Sequence, residues 1–331
     1  MSITALDQKV YLTAYLSPLQ LFLAREDVTD IYINRPGEIW VETLGGSIER
    51  HDVVALDERV LSRLAQQVAA IAHQGINREH PLLSASLPDG ARIQIIAPPA
   101  TRGSLAIAIR KHVSRELNLD DYTAAGAFET IVGDAVARTA VESELAQLRQ
   151  RRAFSALLRR AVHHRRNILV SGGTSTGKTT FLNALIREIS REERLILIED
   201  TAELNLDHPN AVGLIAARSA LGEATVSAED LLNASLRMRP DRIILGELRG
   251  PEAFTFLRAV NTGHPGSMTT IHADSPERAI EQIALLVLQT GTRLDRESVV
   301  HYIRSTIDVY VQLGRFGGHR IVTDVALKSA I

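Results

Sequence analysis

Eight consecutive residues in the second half of the chain have the pattern of a phosphate-binding loop. They are Gly172, Gly173, Thr174, Ser175, Thr176, Gly177, Lys178 and Thr179, and they match G-x-x-x-x-G-K-[ST]. In such a loop, backbone N–H groups surround phosphate oxygens and glycines permit the close approach. An apolar run, 168–170, precedes the loop and a helical pattern begins at Thr180. We therefore predict that residues 172–180 bind a nucleotide, with Lys178 on the β- and γ-phosphates and Thr179 on Mg²⁺.

Two further apolar runs end in acidic residues. Residues 195–198 lead to Glu199, and residues 242–246 lead to Glu247. Ligands bind at the C-terminal ends of parallel strands, so we expect both carboxylates beside the loop. The alternative for each is an acid that simply marks a solvated strand end.

The roles of these acids depend on a glycine. Gly246 stands where many P-loop enzymes carry a magnesium-binding aspartate, which excludes direct ligation from that position. Glu247 is then the expected catalytic base, while Mg²⁺ relies on Thr179, waters and Glu199. Another strand pattern ends in His272, for which we expect a hydrogen bond to the γ-phosphate; a structural histidine is the alternative.

Composition sets the class of protein. The chain has 331 residues, 45% hydrophobic and 23% charged, with a formal net charge of -2. At roughly 150 residues per domain this length predicts about two soluble globular domains. The absence of cysteine excludes disulfides and cysteine-ligated zinc. With no apolar run near the length of a membrane span and no secretory signal pattern at the start, we expect a cytosolic protein.

The pattern along the chain changes twice. Residues 1–112 mix short strand patterns with one helical pattern at 56–74, which predicts a small α+β domain. Residues 113–166 are interpreted as a linker that ends in an amphipathic helix over 142–166. Residues 167–331 alternate strands and helices, which predicts a parallel α/β domain. The linker helix is rich in arginine, at Arg149, Arg151, Arg152, Arg159, Arg160, Arg165 and Arg166.

Apolar residues interleave with these arginines, so a solvated or subunit-facing polar side is the favoured interpretation. Contact with nucleic-acid or membrane phosphates is the alternative.

The four motifs in this order resemble the Walker A, Asp, Walker B and His boxes of the type II/type IV secretion ATPase superfamily, and within it most closely the traffic ATPases of bacterial type IV secretion. The missing Walker B aspartate is typical of that superfamily. Segments of the N-terminal domain are also similar, at 33–38, 81–85, 87–94 and 109–111. The resemblance implies a RecA-like P-loop NTPase domain at the C-terminus and a smaller α+β domain before it.

The resemblance also implies roles for individual residues. Glu199 or Glu203 corresponds to the Asp-box carboxylate. The nucleotide is expected between the two domains, with the N-terminal Arg92 and Arg110 reaching its phosphates and Arg102 as a third candidate.

The expected function is Mg²⁺-dependent ATP hydrolysis that powers a type IV secretion machine. The resemblance implies a homohexameric ring at the cytoplasmic face of the bacterial inner membrane, with inner-membrane channel components as partners, peripheral membrane association and no sequence-specific nucleic-acid binding. A pilus assembly or retraction ATPase and a type II secretion ATPase are close alternatives; the latter usually carries a four-cysteine zinc module, which this chain lacks. More distant alternatives are a DNA-tracking RecA-like motor and a nucleotide-gated docking platform.

Overall fold

A computed structural model describes residues 3–112, 118–124, 126–129, 134–217 and 222–331. Within these ranges the strands form two sheets, one from residues 28–110 and one from residues 168–327. The predicted linker, 113–166, lies partly outside the described residues. No helix in the described ranges has the length and apolar character needed to cross a bilayer.

The N-terminal sheet is antiparallel throughout the described residues, and short turns join β1 to β2, β2 to β3 and β4 to β5. The turn predicted around residue 37 is present, with Gly37 at φ +83°, a conformation that favours glycine. The spatial order is β3-β2-β1-β6-β5-β4. The strands are β1 Val28–Ile33, β2 Glu38–Thr43, β3 Ile48–Asp52, β4 Leu82–Ser86, β5 Arg92–Ile96 and β6 Ala106–Arg110.

Helices cover one face of this sheet. They are α1 Ile3–Leu16, α2 Gln20–Leu23 and α3 Glu58–Ile71. Helix α3 begins where Asp57 accepts a hydrogen bond from the Val60 N–H at 2.7 Å, and its apolar stripe of Leu61, Leu64 and Val68 is buried in the N-terminal core. The predicted helix over 56–74 is confirmed.

The connecting segment contains α4 Leu119–Ala124, α5 Asp134–Gln150 and α6 Phe154–His163. The prediction of one helix over 142–166 is wrong, because the helix ends at Gln150. Arg152 adopts φ +55°, its N–H donates to the Arg149 carbonyl, and the Ala153 N–H donates to the Leu148 carbonyl. These two bonds form a Schellman motif, which normally ends on glycine and is therefore hard to recognise at an arginine.

Four of the seven arginines in this basic run form ion pairs with acidic residues. Arg149 donates instead to the Val325 carbonyl at 2.9 Å. The structure thus agrees with an amphipathic segment whose polar side forms ion pairs. Those pairs are Arg160–Glu144 at 2.7 Å, Arg159–Glu188 at 3.1 Å, Arg165–Glu193 at 3.2 Å and Arg166–Asp308 at 3.9 Å.

The second sheet has the order β13-β12-β7-β11-β10-β8-β9, with every described neighbour parallel except the β12–β13 hairpin. The alternating pattern predicted from the sequence lacks two elements of this domain, a strand at Ala211–Ile215 and a helix at Arg296–Thr306. The strands are β7 Ile168–Gly172, β8 Leu195–Glu199, β9 Ala211–Ile215, β10 Arg242–Leu245, β11 Met268–Ile271, β12 Val309–Phe316 and β13 His319–Leu327. The helices are α7 Lys178–Ile186, α8 Ala228–Ser235, α9 Glu252–Asn261, α10 Pro276–Leu288 and α11 Arg296–Thr306.

The pairing of β7, β11 and β10 brings the C-terminal ends of these three strands close together. Ile168 of β7 pairs with Met268 of β11, and Met268 pairs in turn with Ile244 of β10. Since all three strands run in the same direction, their C-terminal ends meet at one edge of the sheet. The side chains that follow those strands are therefore brought together.

The two sheets contact each other through an apolar cluster that contains Ile96 and Leu214 and through a buried polar group beside it. Arg194 is fully buried, and its guanidinium lies 4.0 Å from the centre of the Tyr32 ring. The same group donates to the side-chain oxygens of Asn34 at 2.8 Å and Asn210 at 2.6 Å. A buried arginine requires such partners, so this polar group helps to hold the N-terminal sheet against the second one.

Candidate nucleotide-binding and catalytic site

The loop between β7 and α7 has the geometry of an anion cradle. Ser175 and Gly177 adopt positive φ values of 62° and 92°, which turn successive backbone N–H groups toward a common point beside the N-terminus of α7. Gly172 is required for packing, because a Cβ there would lie 2.5 Å from Thr176 Oγ1. The predicted strand–loop–helix context of the motif is confirmed.

Lys178 lies at the mouth of this cradle. Its Nζ donates to the Gly172 carbonyl at 3.0 Å and is 3.3 Å from the ring nitrogens of His272. Burial lowers the pKa of Lys178, and the nearby Glu247 carboxylate partly opposes that shift. A phosphate would offer this ammonium a charged acceptor in place of a neutral carbonyl.

Glu247 lies between a histidine and an arginine, and the arginine bonds one of its two carboxylate oxygens. Oε1 lies 2.8 Å from His272 Nε2, and Oε2 accepts from Arg249 Nε at 2.7 Å. Arg249 also donates to Asp200 at 2.8 Å, so it links two acids across the site. Sequence reasoning missed Arg249; the signal available was a basic residue two positions after a strand-ending acid, at the edge where ligands bind.

On the opposite side of the cradle, Thr179 Oγ1 donates to Glu203 Oε2 at 3.1 Å. Glu199 is buried, and its Oε1 accepts the N–H groups of Glu203 at 3.0 Å and Leu204 at 2.7 Å. Its Oε2 forms an ion pair with Arg102. The carboxylate beside the hydroxyl is therefore that of Glu203. A hydroxyl and a carboxylate are oxygen ligands that suit Mg²⁺, so this pair fits the ion.

These groups surround a cavity of about 370 Å³, within the range of small-molecule sites. The described residues that line it all follow residue 173. Arg92 and Arg110 are cross-strand partners at the exposed end of β5 and β6 and are not among them. Lining residues from the predicted set are Thr174, Ser175, Thr176, Gly177, Lys178, Thr179, Thr180, Glu199, Glu203, Glu247 and His272, and others include Asp200, Arg249 and Arg320.

The arrangement is suited to phosphoryl transfer. Lys178, His272, Arg249 and the loop line one cavity, and the mostly buried Glu247 carboxylate lies among them. Comparison with known proteins decides the family, since residues 14–315 match the family model described as Type II/IV secretion system protein. This chain belongs to that family. It is a secretion ATPase with a RecA-like P-loop domain and a smaller α+β domain, as predicted.

Two similar proteins align with nearly the whole chain of this secretion ATPase. The type IV secretion system protein VirB11 of Bartonella henselae is 38% identical over 326 residues, which span 94% of this chain and 91% of that protein. PtlH of Bordetella pertussis, also a type IV secretion system protein, is 38% identical over 344 residues, 100% of this chain and 99% of PtlH.

The fold is shared with a solved structure. The VirB11 ATPase from the Brucella suis type IV secretion system, in complex with sulphate, matches with a TM-score of 0.92 and 37% identity. The match covers 99% of this chain and 97% of that one.

Replacement of Glu247 by glutamine tests the predicted base. The amide keeps the shape but cannot accept a proton, so we expect kcat of the secretion ATPase to fall by about 10²–10⁴-fold. The KM for ATP should change little, because Lys178 and the loop remain. Steady-state phosphate release measures both constants. Glu281→Gln, at an exposed ion pair with Arg296, is the matched control; equal kcat in the two variants would contradict the role.

Proposed function

We propose that this secretion ATPase hydrolyses ATP with Mg²⁺ as a homohexameric ring at the cytoplasmic face of the bacterial inner membrane. The ring drives a type IV secretion machine for effector or DNA transport or pilus biogenesis, in contact with inner-membrane channel components. The observation that carries the proposal is one cavity that joins a phosphate loop to Glu247, in a chain that aligns end to end with type IV secretion proteins. Its units are residues 1–112, the connecting segment 113–166 and the ATPase domain 167–331.

The catalytic steps follow from the contacts in the cavity. ATP binding moves Lys178 from the Gly172 carbonyl to the phosphates. Glu247 accepts a proton from the attacking water at Oε1, because Arg249 holds Oε2. The water oxygen bonds to the γ-phosphorus as the bond to the ADP oxygen breaks, and Arg249 stabilises the charge on the transferring phosphoryl group.

We assign Thr179 and Glu203 as the protein ligands of Mg²⁺. Glu199 is not a ligand in this assignment and instead stabilises the loop that carries Glu203. Both oxygens of Glu199 already have partners, whereas Glu203 faces the Thr179 hydroxyl. When bound, Mg²⁺ neutralises phosphate charge, and waters complete its coordination.

Glu203→Gln tests this assignment. A neutral amide binds Mg²⁺ more weakly than a carboxylate, so we expect the Mg²⁺ concentration for half-maximal hydrolysis to rise about tenfold, with recovery of most activity at high Mg²⁺. The control is Asp207→Asn on the same loop, whose carboxylate bonds Asn205 and does not line the cavity. Unchanged Mg²⁺ dependence in Glu203→Gln would refute the assignment.

Arg92 and Arg110 support the ring. They point out of β5 and β6 at matched register and stay exposed, away from the cavity of their own chain. Two exposed arginines side by side repel each other and gain from a shared anion. We assign them to the phosphates bound by a neighbouring subunit.

Mixing two inactive proteins tests both the ring and this assignment. Lys178→Ala subunits lack a working phosphate loop but keep Arg110, whereas Arg110→Ala subunits keep the loop. In a mixed ring, the loop of an Arg110→Ala subunit can meet Arg110 of a neighbouring Lys178→Ala subunit, which restores a complete site. We expect hydrolysis to recover to roughly a tenth or more of the wild-type rate per subunit. The control mixture, Lys178→Ala with Glu247→Gln, places both defects in the same cavity and should stay inactive. No recovery in the first mixture, or a monomeric mass in the presence of ATP, would contradict the ring.

Expression of Lys178→Ala beside the wild-type gene tests the role in secretion. Inactive subunits enter the ring, so we expect effector export, conjugative DNA transfer or surface pili to fall several-fold, and the output that falls identifies the cargo. Arg278→Ala, at an exposed ion pair with Asp274, serves as control. Normal levels of all three outputs would contradict the proposed machine.

A basic DNA-tracking surface is disfavoured, because acidic side chains neutralise much of the arginine-rich segment.

A further inference from the structure

A short segment of the N-terminal domain, residues 100–102, pairs with β9 at the edge of the second sheet. The Ile215 N–H donates to the Ala100 carbonyl at 2.9 Å, and the Arg102 N–H donates to the Gly213 carbonyl at 2.9 Å. Between them, Thr101 and Leu214 form an antiparallel bridge. The segment therefore extends the sheet beyond β9 and places Arg102 on the ATPase side of the contact.

The side chain of Arg102 crosses β9 at a glycine. A Cβ on Gly213 would lie 2.6 Å from Arg102 Cδ, so any larger residue would displace the arginine stem. The side chain is 14% exposed, which shows that it is enclosed between the two parts of the chain.

The guanidinium reaches the loop that follows β8. Arg102 Nη1 donates to the Leu204 carbonyl at 2.6 Å, and Nη2 forms an ion pair with Glu199 Oε2. The other oxygen of Glu199 accepts the N–H groups of Glu203 and Leu204. Arg102 and Glu199 thus hold this loop through both its carbonyl and its N–H groups.

The same loop is fastened to α7. The Asn205 N–H donates to Asn183 Oδ1 at 2.6 Å, and Asn183 Nδ2 donates to the Glu203 carbonyl at 3.3 Å. The Glu203 side chain then meets Thr179. A continuous set of contacts leads from the N-terminal segment to the cavity.

We propose that Arg102 is a positioning residue. It links the position of the N-terminal domain to the position of the Glu203 carboxylate, and so to the Mg²⁺ dependence of hydrolysis. Its consequence for hydrolysis depends on the metal role proposed for Glu203. Arg102 does not line the cavity, and its donors are directed at Glu199 and Leu204. Motion of the N-terminal domain that withdraws Arg102 would loosen the loop and interrupt hydrolysis.

The decisive experiment is amide hydrogen exchange on Arg102→Met without nucleotide or Mg²⁺. Methionine retains much of the apolar stem and removes every donor, so Glu199 loses its charge partner. We expect the Glu203 and Leu204 amides to exchange about tenfold faster. In kinetics, half-saturating Mg²⁺ should rise by about threefold or more, while the KM for ATP at saturating Mg²⁺ stays within about twofold.

Two further variants separate positioning from loss of charge. Gly213→Ala displaces the stem and changes no charge, so it should shift exchange and Mg²⁺ dependence in the same direction. Arg102→Lys keeps an ammonium near Glu199 without the second bond and should be intermediate. Arg78→Met is the control, because Arg78 forms another ion pair between the two parts, with Glu223 at 2.9 Å, in an exposed position.

A double variant tests the route through Glu199. If Arg102 acts through that carboxylate, Arg102→Met should add less than about twofold to the effects of Glu199→Gln. Unchanged amide exchange in Arg102→Met would overturn the proposal, as would a raised KM for ATP with unchanged Mg²⁺ dependence, which indicates direct phosphate contact. The exchange readout uses no metal, so failure of the Glu203 assignment, seen in Glu203→Gln, is distinguishable from failure of the coupling.

Discussion

The parallel pairing of β7 with β11, and of β11 with β10, is the constraint on which the site depends. It brings the ends of three strands to one edge, so that the phosphate loop, His272 and Glu247 meet although they are far apart in the chain. Each strand is buried in the described sheet, and apolar side chains fill both of its faces. Packing therefore leaves the strand ends as the place where polar chemistry is possible.

At that edge, contacts between charged and polar groups fix the positions of the site's side chains. Glu247 is held between His272 and Arg249, while Lys178 bonds a backbone carbonyl. Among these groups the Glu247 side chain is well enclosed, at 14% exposed, so it depends on its charged neighbours. A nucleotide can exchange these contacts for stronger charge-assisted bonds, so the same groups serve both to stabilise the free protein and to bind the substrate.

The contact between the two sheets combines apolar packing with an enclosed arginine at each end of β8. Arg194 packs on Tyr32, and Arg102 bonds the loop that carries Glu203. Buried guanidinium groups need specific partners, which makes such contacts sensitive to small displacements.

Local sequence determined the phosphate loop, the strands before it and after it, and the strand-ending Glu247, since each depends on a short pattern with its own physical cause. It did not reveal β9, or that an Arg152 in the left-handed region ends α5. Tertiary structure alone decided which carboxylate faces Thr179, because Glu199 and Glu203 are four residues apart and equally acidic. The partner of Glu199 is Arg102, nearly a hundred residues earlier. Pairing across that distance depends on how two sheets dock, which no local pattern encodes.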